Sequence, residues 1–480
     1  MFRFLNIFLY NKVMQKNEEY ILTINNLGAN GEGVGIIDNF PVFIPLALCG
    51  EKVKIKIVKV LKNFAYGKLL QVLLPSSNRV EPRCPVFNRC GGCQLQHLRY
   101  DEQLKFKTNL VQNNLLKFGN IVAKVESTEP SPKQYEYRNK IQIPITQIES
   151  KIGDDTSKNE SKIVTGFYSE NSHCIVPTLS CVLHGKWAEE LLCIVPKYIK
   201  QVGESCYNES TKKGNIRHIV ARVVDDKIMI VLVTKTNTLK SSNLLIDMLK
   251  QKFDKFSLYQ NINPKDTNVI LGEKFVLLYG EKTLKTVNFG ISYEISPQSF
   301  MQVNTDIQNK IYQKVLDSVD ENSILIDAYS GAGLLTSILS KKAKKVYGIE
   351  IVPQATENAN KLIKENEIKN VININGDCSV ELPKLVDKLS NEDKANLCII
   401  LDPPRKGCDE KVLKNITSVL PNKIIYISCN SATLSRDLKF LTGENYHIDL
   451  IKPYDMFPQT KNVETLAILT KNDYKNKIGQ

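Results

Sequence analysis

The stretch ILIDAYSGAGLL, residues 324–335, decides the fold of the C-terminal part of this chain. An apolar strand, Ile324–Asp327, leads into a loop that contains Gly331 and Gly333, and a helical segment follows. Glycine permits a tight turn and a close approach of the backbone to a ligand. Glu350 ends the next predicted strand about twenty residues on, where a carboxylate can accept ribose hydroxyls. The combination predicts a nucleotide-binding loop at the edge of a parallel sheet.

Further apolar strands alternate with helical segments around this loop. They are Val346–Glu350, Leu397–Asp402 and Lys423–Ser428. Regular alternation of this kind predicts a doubly wound α/β domain. The G-x-G-x-x-G pattern of dinucleotide-binding proteins is absent, which favours S-adenosylmethionine over a nicotinamide cofactor.

Reactive residue types stand where these strands end. Asp402-Pro-Pro-Arg405 closes one strand, Cys429 directly follows another, and Glu464 leads into a last apolar run. A cysteine there can act as a nucleophile, although free cysteine is often only a small buried residue. Glu464 can act as a base or can be a surface residue of an edge strand. Because all three meet at one sheet edge, the reactive interpretation is favoured.

The N-terminal part has a different pattern. Residues 20–74 form short alternating runs, such as Val53–Val58, with glycines between them, which predicts a small oligonucleotide-binding type of β-barrel. Lysines recur on it: Lys52, Lys54, Lys56, Lys59 and Lys62. Together with the net charge of +13, they favour an RNA partner. A solvated strand face in a lysine-rich proteome is the alternative.

Three clustered cysteines, Cys84, Cys90 and Cys93, follow the barrel with Gly91 and Gly92 between the last two. They do not form the two pairs of a simple four-cysteine zinc site, whereas an iron–sulfur cluster commonly takes three close thiolates and one distant thiolate. The distant ligand would be one of two downstream residues, Cys174 and Cys181.

The middle of the chain predicts mixed structure. Residues 75–85 are a predicted linker, 100–118 a helix, and 125–290 a strand-rich region in which the run 218–233 indicates a hairpin. The polar tract 149–162 is interpreted as a surface loop.

The sequence lacks the features of membrane-bound and secreted proteins, and this indicates a cellular compartment. No stretch reaches the roughly 20 apolar residues of a membrane span. The apolar opening, residues 1–10, has Asn6 in its middle and no small-residue cleavage site, and Met14 is a second possible start. The chain's twelve cysteines lack the spacing of a disulfide scaffold. We therefore expect a cytoplasmic protein without membrane attachment.

Together these motifs resemble the RNA uracil-C5 methyltransferase family, and within it the iron–sulfur branch that acts on 23S ribosomal RNA. The resemblance runs from about Tyr20 to Leu469 and includes GEGVG at 31–35 and PVFIP at 41–45, as in the family's TRAM module. It implies an α/β fold class in three parts. These are an OB-like TRAM β-barrel at 16–74, a mixed central iron–sulfur domain at 75–290 and a doubly wound, Rossmann-like methyltransferase domain at 291–475.

The resemblance also implies roles for residues. Cys429 matches the nucleophile, Glu464 the general base, and Phe300 would lie near the target base. S-adenosylmethionine contacts are implied for Gln302, Tyr329, Glu350, Asp377 and Asp402. A [4Fe–4S] cluster is implied on Cys84, Cys90, Cys93 and Cys181. Cys181 is preferred to Cys174 because the family's last ligand follows an Ile-Val segment, as in 175–181.

Two positions depart from the family pattern. Leu334 stands where some relatives carry asparagine, and Asn462 where a histidine is frequent, which puts a proton relay through that position in doubt. The expected partner is RNA, bound by a monomer. Two alternatives to a 23S ribosomal RNA methyltransferase remain: a transfer RNA uracil-C5 methyltransferase, and a non-catalytic RNA-binding iron–sulfur protein.

Overall fold

The computed structural model describes residues 14–151 and 159–472, and the side chains of 14–148 and 162–472. Within these residues the chain divides into two compact units. The first unit contains residues 14–88, 93–106 and 459–461. The second contains the remaining described residues.

The first unit contains a closed five-stranded barrel, as the sequence predicts. Its strands are β1 (Glu19–Leu27), β2 (Gly33–Ile37), β3 (Phe40–Ile44), β4 (Lys52–Val60) and β5 (Ala65–Leu74), in the order β1-β2-β3-β5-β4. Val53, Ile55 and Ile57 are fully buried inside it, and the lysines between them point outward. A Cβ on Gly35 would lie 2.2 Å from Leu22 Cδ1 and 3.1 Å from the Thr23 carbonyl oxygen, so β1 and β2 approach closely at this position.

The second unit contains a seven-stranded mixed sheet. Its strands are β6 (Lys140–Lys151), β7 (Asn159–Tyr168), β8 (Ile175–Pro177), β9 (Ile216–Val224), β10 (Lys227–Thr234), β11 (Phe256–Ile262) and β12 (Lys274–Tyr279). The order is β12-β11-β10-β9-β6-β7-β8. Two helices of the second unit accompany it, α2 (Lys186–Val202) and α3 (Ser242–Lys250). A further helix, α1 (Tyr100–Asn114), begins in the first unit and continues in the second, where it ends in a π-helical turn over Leu115–Gly119.

Two predictions fall on this sheet. The hairpin at 218–233 is confirmed as β9 and β10, with Asp225 in the left-handed conformation at φ 54°. The surface loop at 149–162 is wrong at both ends, because β6 continues to Lys151 and pairs there with Asn159, the first residue of β7. An antiparallel ladder is held by backbone hydrogen bonds and therefore tolerates polar side chains. Residues 152–158 lie outside the described residues.

The rest of the second unit forms the predicted doubly wound domain. A short hairpin comes first, β13 (Leu284–Asn288) and β14 (Ile291–Ile295). The alternating elements are α4 (Thr305–Asp317), β15 (Ile324–Asp327), α5 (Leu334–Leu339), β16 (Lys345–Glu350), α6 (Pro353–Glu365), β17 (Val371–Asn375), α7 (Cys378–Asp387), α8 (Asn391–Ala395), β18 (Leu397–Leu401), α9 (Glu410–Val419), β19 (Lys423–Ser428), α10 (Ser431–Gly443), β20 (Tyr446–Tyr454) and β21 (Glu464–Lys471).

The strand order is β17-β16-β15-β18-β19-β21-β20, and only β21 runs antiparallel to both of its neighbours. β18 shows how the sheet is covered on both faces. Leu397, Ile399 and Leu401 pack into one apolar cluster, and Cys398 and Ile400 into the cluster on the opposite face. The chain winds outward in both directions from β15 and β18. Such a switch point leaves a crevice at the carboxyl ends of these strands.

No helix in the described part of the chain is both long and apolar enough to cross a membrane.

Candidate active site

The sheet topology gathers the predicted residues at one edge. β15, β16, β18 and β19 are parallel, so their carboxyl ends coincide. Asp327 and Glu350 end β15 and β16, Asp402 follows β18, and Cys429 follows β19. Glu464 joins them because β21 runs the other way and begins at this edge. Five residues far apart in sequence therefore share one crevice.

Cys429 and Glu464 are next to each other across two neighbouring strands. Ser428 pairs with Thr465, so the next position along this antiparallel ladder places Cys429 opposite Glu464. Glu464 is 3% exposed, whereas Cys429 is half-buried and remains accessible. Tyr454 pairs with Glu464 from the other side. The ladder thus holds a thiol and a carboxyl group side by side at the floor of the crevice.

A hydrogen-bonded junction fixes the position of Cys429. The Asn430 side chain accepts the Ala432 N–H at 3.1 Å and so caps α10. Its amide group donates to the Arg405 carbonyl oxygen at 3.1 Å. Thr433 Oγ1 donates to the same carbonyl at 3.2 Å. The turn that carries Cys429 is therefore tied to the loop that carries Arg405.

Arg405 is a site residue that the sequence-based prediction missed. Burial is the main cause that raises the pKa of the Cys429 thiol, and the carboxyl groups of Glu464 and Asp402 raise it further. Arg405 opposes them, through its charge and a hydrogen bond to the thiol. The sequence analysis assigned a role to Asp402 of the tetrapeptide Asp402–Arg405 and none to Arg405. Its place directly after a strand of the parallel sheet was the signal that could have identified this arginine.

The buried carboxyl groups hold their protons unusually tightly. Burial raises the pKa of Glu464 well above its ordinary value, and nearby Asp402 raises it further. The pKa of Asp402 rises to about 7, mainly through burial and then through Asp327. Asp327 accepts the Thr336 hydroxyl at 2.7 Å, yet burial still raises its pKa to about 6. Carboxyl groups that titrate near neutrality suit proton transfer.

The glycine loop fits a nucleotide-like cofactor. Gly331 and Gly333 have φ angles of +53° and +79°, and a Cβ on Gly331 would meet no atom within 4 Å. The two Glu350 carboxylate oxygens accept N–H groups, from Gly331 at 2.9 Å and from Val352 at 2.7 Å. Each oxygen keeps a second lone pair for a ribose hydroxyl. The loop is thus rigid, with open space in front of it.

The other predicted cofactor residues have distinct surroundings. Gln302 is half-buried, and its backbone carbonyl oxygen accepts a hydrogen bond from Asn139 Nδ2 at 2.9 Å. Tyr329 is half-buried and packs against the apolar cluster on one face of the sheet. The Asp377 carboxylate accepts the Ser379 N–H at 2.7 Å as the cap of α7, and hydrogen bonding from the Ser379 side chain and then from this N–H lowers its pKa. Phe300 is 82% exposed.

The four predicted metal ligands are divided between the two units. Among the described residues, no group of three or more histidine, cysteine, aspartate or glutamate side chains is arranged to hold a metal ion. Cys84 and Cys93 belong to the first unit, and Cys90 and Cys181 to the second, so neither unit alone contains three of them. One local feature suits thiolate ligation: the Gly92 N–H donates to Cys90 Sγ at 3.4 Å.

Comparison with protein families gives two matches. The family described as tRNA (Uracil-5-)-methyltransferase matches residues 220–472, and the TRAM domain matches residues 14–70. These ranges together cover most of the barrel, the last three strands of the mixed sheet with part of β9, and the whole doubly wound sheet.

Relatives match along nearly the whole chain. An uncharacterized RNA methyltransferase of Clostridium tetani is 39% identical over 469 residues, which cover 97% of this chain and 99% of that protein. Another, of Clostridium acetobutylicum, is 40% identical and covers 96% of this chain and 98% of that protein. The solved structure of Pyrococcus abyssi tRNA (uracil-54, C5)-methyltransferase in complex with S-adenosyl-L-homocysteine is 26% identical. Its TM-score is 0.73, over 94% of this chain and 100% of that one.

Proposed function

The chain belongs to the RNA (uracil-5-)-methyltransferase family, as an S-adenosylmethionine-dependent enzyme with a TRAM domain, and we propose that it methylates C5 of a uridine in 23S ribosomal RNA. The observation that carries the proposed mechanism is the placement of Cys429 opposite Glu464, beside Asp402 and Arg405. A nucleophile next to a base is what this reaction requires.

The first step activates the uracil ring. C5 of uracil is a poor nucleophile until a thiolate adds to C6 and gives C5 carbanion character. Cys429 provides that thiolate after its proton leaves to solvent, and Arg405 stabilises the negative sulfur. A protonated Asp402 can donate a hydrogen bond to the ring oxygen on which negative charge develops.

The remaining steps transfer the methyl group and release the product. Bound S-adenosylmethionine supplies a methyl group on a sulfonium centre. We assign its binding to Gln302, Tyr329, Glu350, Asp377 and Asp402. Once C5 carries the methyl group, the Glu464 carboxylate removes the C5 proton. The electron pair of that C–H bond restores the ring double bond, and the bond between C6 and Cys429 sulfur breaks.

Protonation sets the working pH of this scheme. The raised pKa values of Cys429 and Glu464 mean that each group holds its proton to a higher pH than an ordinary cysteine or glutamate does. Both must be deprotonated when they act. Deprotonation of these two groups favours the reaction as the pH rises, whereas the loss of the Asp402 proton near pH 7 opposes it, so the rate is expected to pass through a maximum.

A suicide substrate tests the nucleophile. RNA containing 5-fluorouridine accepts the thiolate and the methyl group but has no C5 proton to lose, so a covalent adduct accumulates. We expect an adduct on a denaturing gel with the native enzyme and none with Cys429→Ala. Cys193→Ala, which removes another half-buried cysteine, is the matched control and keeps the adduct. An adduct with Cys429→Ala would refute the assignment, and no adduct with the native enzyme would favour the non-catalytic alternative.

The choice of 23S ribosomal RNA rests on the cysteine motif, which resembles that of the ribosomal branch. Transfer RNA is the second candidate, because the matching family is described for tRNA and the Pyrococcus abyssi relative acts on tRNA uracil-54. Mass mapping of both RNAs from a deletion strain decides between them. Loss of 5-methyluridine from 23S RNA supports the proposal, and loss from transfer RNA alone overturns it.

We also propose that Cys84, Cys90, Cys93 and Cys181 bind a [4Fe–4S] cluster, on the strength of their sequence pattern and not of their arrangement in the structure. Methyl transfer moves no net electrons, so the proposed role is structural. Anaerobically purified protein should contain about four irons per chain. Cys181→Ser should lose iron and Cys174→Ser should keep it. Zinc instead of iron, or iron loss from Cys174→Ser alone, would overturn the ligand set.

The proposed organisation follows the same reasoning. We propose domain limits at 16–74, 75–290 and 291–475, a monomeric state and a cytoplasmic location. Sedimentation equilibrium tests the monomer, and limited proteolysis should cut near residues 75 and 290. A stable dimer or cleavage only elsewhere would contradict these assignments.

A further inference from the structure

Three aromatic rings gather on the outside of the barrel, where β3 and β5 pair in parallel. Phe43 is the register partner of Tyr66, and Phe64 lies next to both. Ring centroids are 5.3 Å apart for Phe43 and Phe64, 5.5 Å for Phe64 and Tyr66, and 6.1 Å for Phe43 and Tyr66. Tyr66 is 37% exposed, and the other two rings are half-buried.

The barrel core does not need these rings. Val42, Ile44 and Ala65, which alternate with them on the same strands, are fully buried and already fill the interior. The rings stabilise one another, since such pairs contribute about 0.5–1.5 kcal/mol each. They nevertheless leave aromatic surface in contact with water, which is typical of a binding surface.

Unpaired lysines surround the rings. Lys59 is the register partner of Tyr66, and Lys68 lies two residues beyond Tyr66 on the same face, opposite Lys56. No described residue forms an ion pair or a side-chain hydrogen bond with any of these three lysines. Lys54, which lies on β4 with Lys56 and Lys59, differs because it forms an ion pair with Glu19 at 2.8 Å. Lys59 and Lys68 therefore lack a counter-charge that Lys54 has, whereas Lys56 lies opposite Glu19 as its register partner.

We propose that this aromatic face, formed by Phe43, Phe64, Tyr66, Lys59 and Lys68, binds an unpaired segment of RNA, with a base stacked on Tyr66 and phosphates beside the lysines. Single-stranded RNA presents both π-faces and closely spaced negative charge, which matches the two components of the surface. A duplex hides its bases and would use the lysines alone. The inference rests on the proposed function only in that the partner is RNA.

The consequence for the enzyme is a second point of contact with its substrate. A site that reads unpaired nucleotides on the barrel selects RNA with a single-stranded stretch in addition to the target uridine. Multipoint binding raises affinity without any change in the reaction centre.

Fluorescence anisotropy tests the proposal with the full-length protein and no cofactor. The probes are a labelled oligouridylate of about 12 nucleotides, within the site size of such barrels, and a duplex of the same length. Tyr66→Ala should weaken single-strand binding about 5- to 150-fold, the range that one lost stacked base gives, and leave duplex binding unchanged. Tyr66→Phe should bind like the native protein. Equal losses for both probes, or no loss for Tyr66→Ala, would overturn the stacking contact.

Charge is tested separately, which keeps the proposal testable if Tyr66→Ala fails to fold. Lys68→Gln should reduce the slope of log K against log salt by about 0.7 for the single strand. Lys54→Gln, whose lysine is already paired with Glu19, should leave that slope nearly unchanged. Equal slopes for Lys68→Gln and the native protein would overturn the phosphate contact. Tyr66-dependent single-strand binding in a protein that proves unable to methylate 23S RNA would sink the proposed substrate and leave this inference standing.

Discussion

Asp402→Asn should remove a pH-dependent cost of folding. The folded protein raises the pKa of Asp402 from 3.8 to about 7, chiefly by burial. A carboxyl group whose pKa is raised on folding contributes stability that is complete below pH 3.8 and is lost as the pH rises through 7. Each unit of pKa difference corresponds to about 1.4 kcal/mol. Asparagine cannot ionise, so the stability of the variant relative to the native protein should increase by about 2 kcal/mol from pH 5 to pH 7.

Urea denaturation at pH 5, 6 and 7 measures this difference. Circular dichroism and the fluorescence of the single tryptophan, Trp187, should give coincident transitions, which the free energy calculation requires. Asp409→Asn is the matched control, because Asp409 is exposed in the loop that follows Asp402. Its curve should parallel that of the native protein. Parallel curves for Asp402→Asn as well would refute the inference that folding keeps this carboxyl group neutral.

Three further variants test other parts of the site and its support. Glu464→Gln should methylate natural RNA but accumulate the covalent complex, because the C5 proton stays in place; normal turnover on a denaturing-gel assay would reduce Glu464 to a structural role. Arg222, 1% exposed, donates to the carbonyl oxygens of the turn before Phe300, at 2.7–3.0 Å. Arg222→Lys should lower kcat/KM about tenfold, because one ammonium group cannot span these acceptors, and unchanged kinetics would contradict that role. Asp455→Asn should destabilise the protein by about 3–5 kcal/mol in urea, since it leaves buried Lys107 without its counter-charge. Adding Lys107→Met should recover part of that loss, and no recovery would argue against the ion pair.

The local sequence pattern predicted the strands that are buried on both faces. β15, β18 and β19 are covered on both faces, so they appear in the sequence as continuous apolar runs. The prediction of a surface loop at 149–162 was wrong because the polar residues at its ends extend two strands, and these strands pair through their backbones. Polarity alone does not distinguish such strands from a loop.

The sequence likewise predicted part of the candidate site. Residues at the ends of parallel strands follow from topology, which the alternating pattern reveals. The pairing of Cys429 with Glu464 could not be predicted in this way, because it requires β21 to insert antiparallel between β19 and β20. Arg405 and Arg222 were missed for a related reason. Arg222 lies in an alternating strand, where a charged residue is predicted to be exposed, but the fold buries it. Arg405 is exposed, and only the fold brings it close to Cys429.

The position of β21 also determines when the enzyme becomes competent during synthesis. Translation delivers the glycine loop, Cys429 and β20 before β21, yet β21 lies between β19 and β20 in the finished sheet. In a nascent chain that has reached β20, the position between β19 and β20 is still unfilled, and the edge of β19 is unpaired. Unpaired strand edges are where association between chains begins. The strand that brings Glu464 therefore also closes that edge, and the catalytic pair cannot form before the sheet is protected.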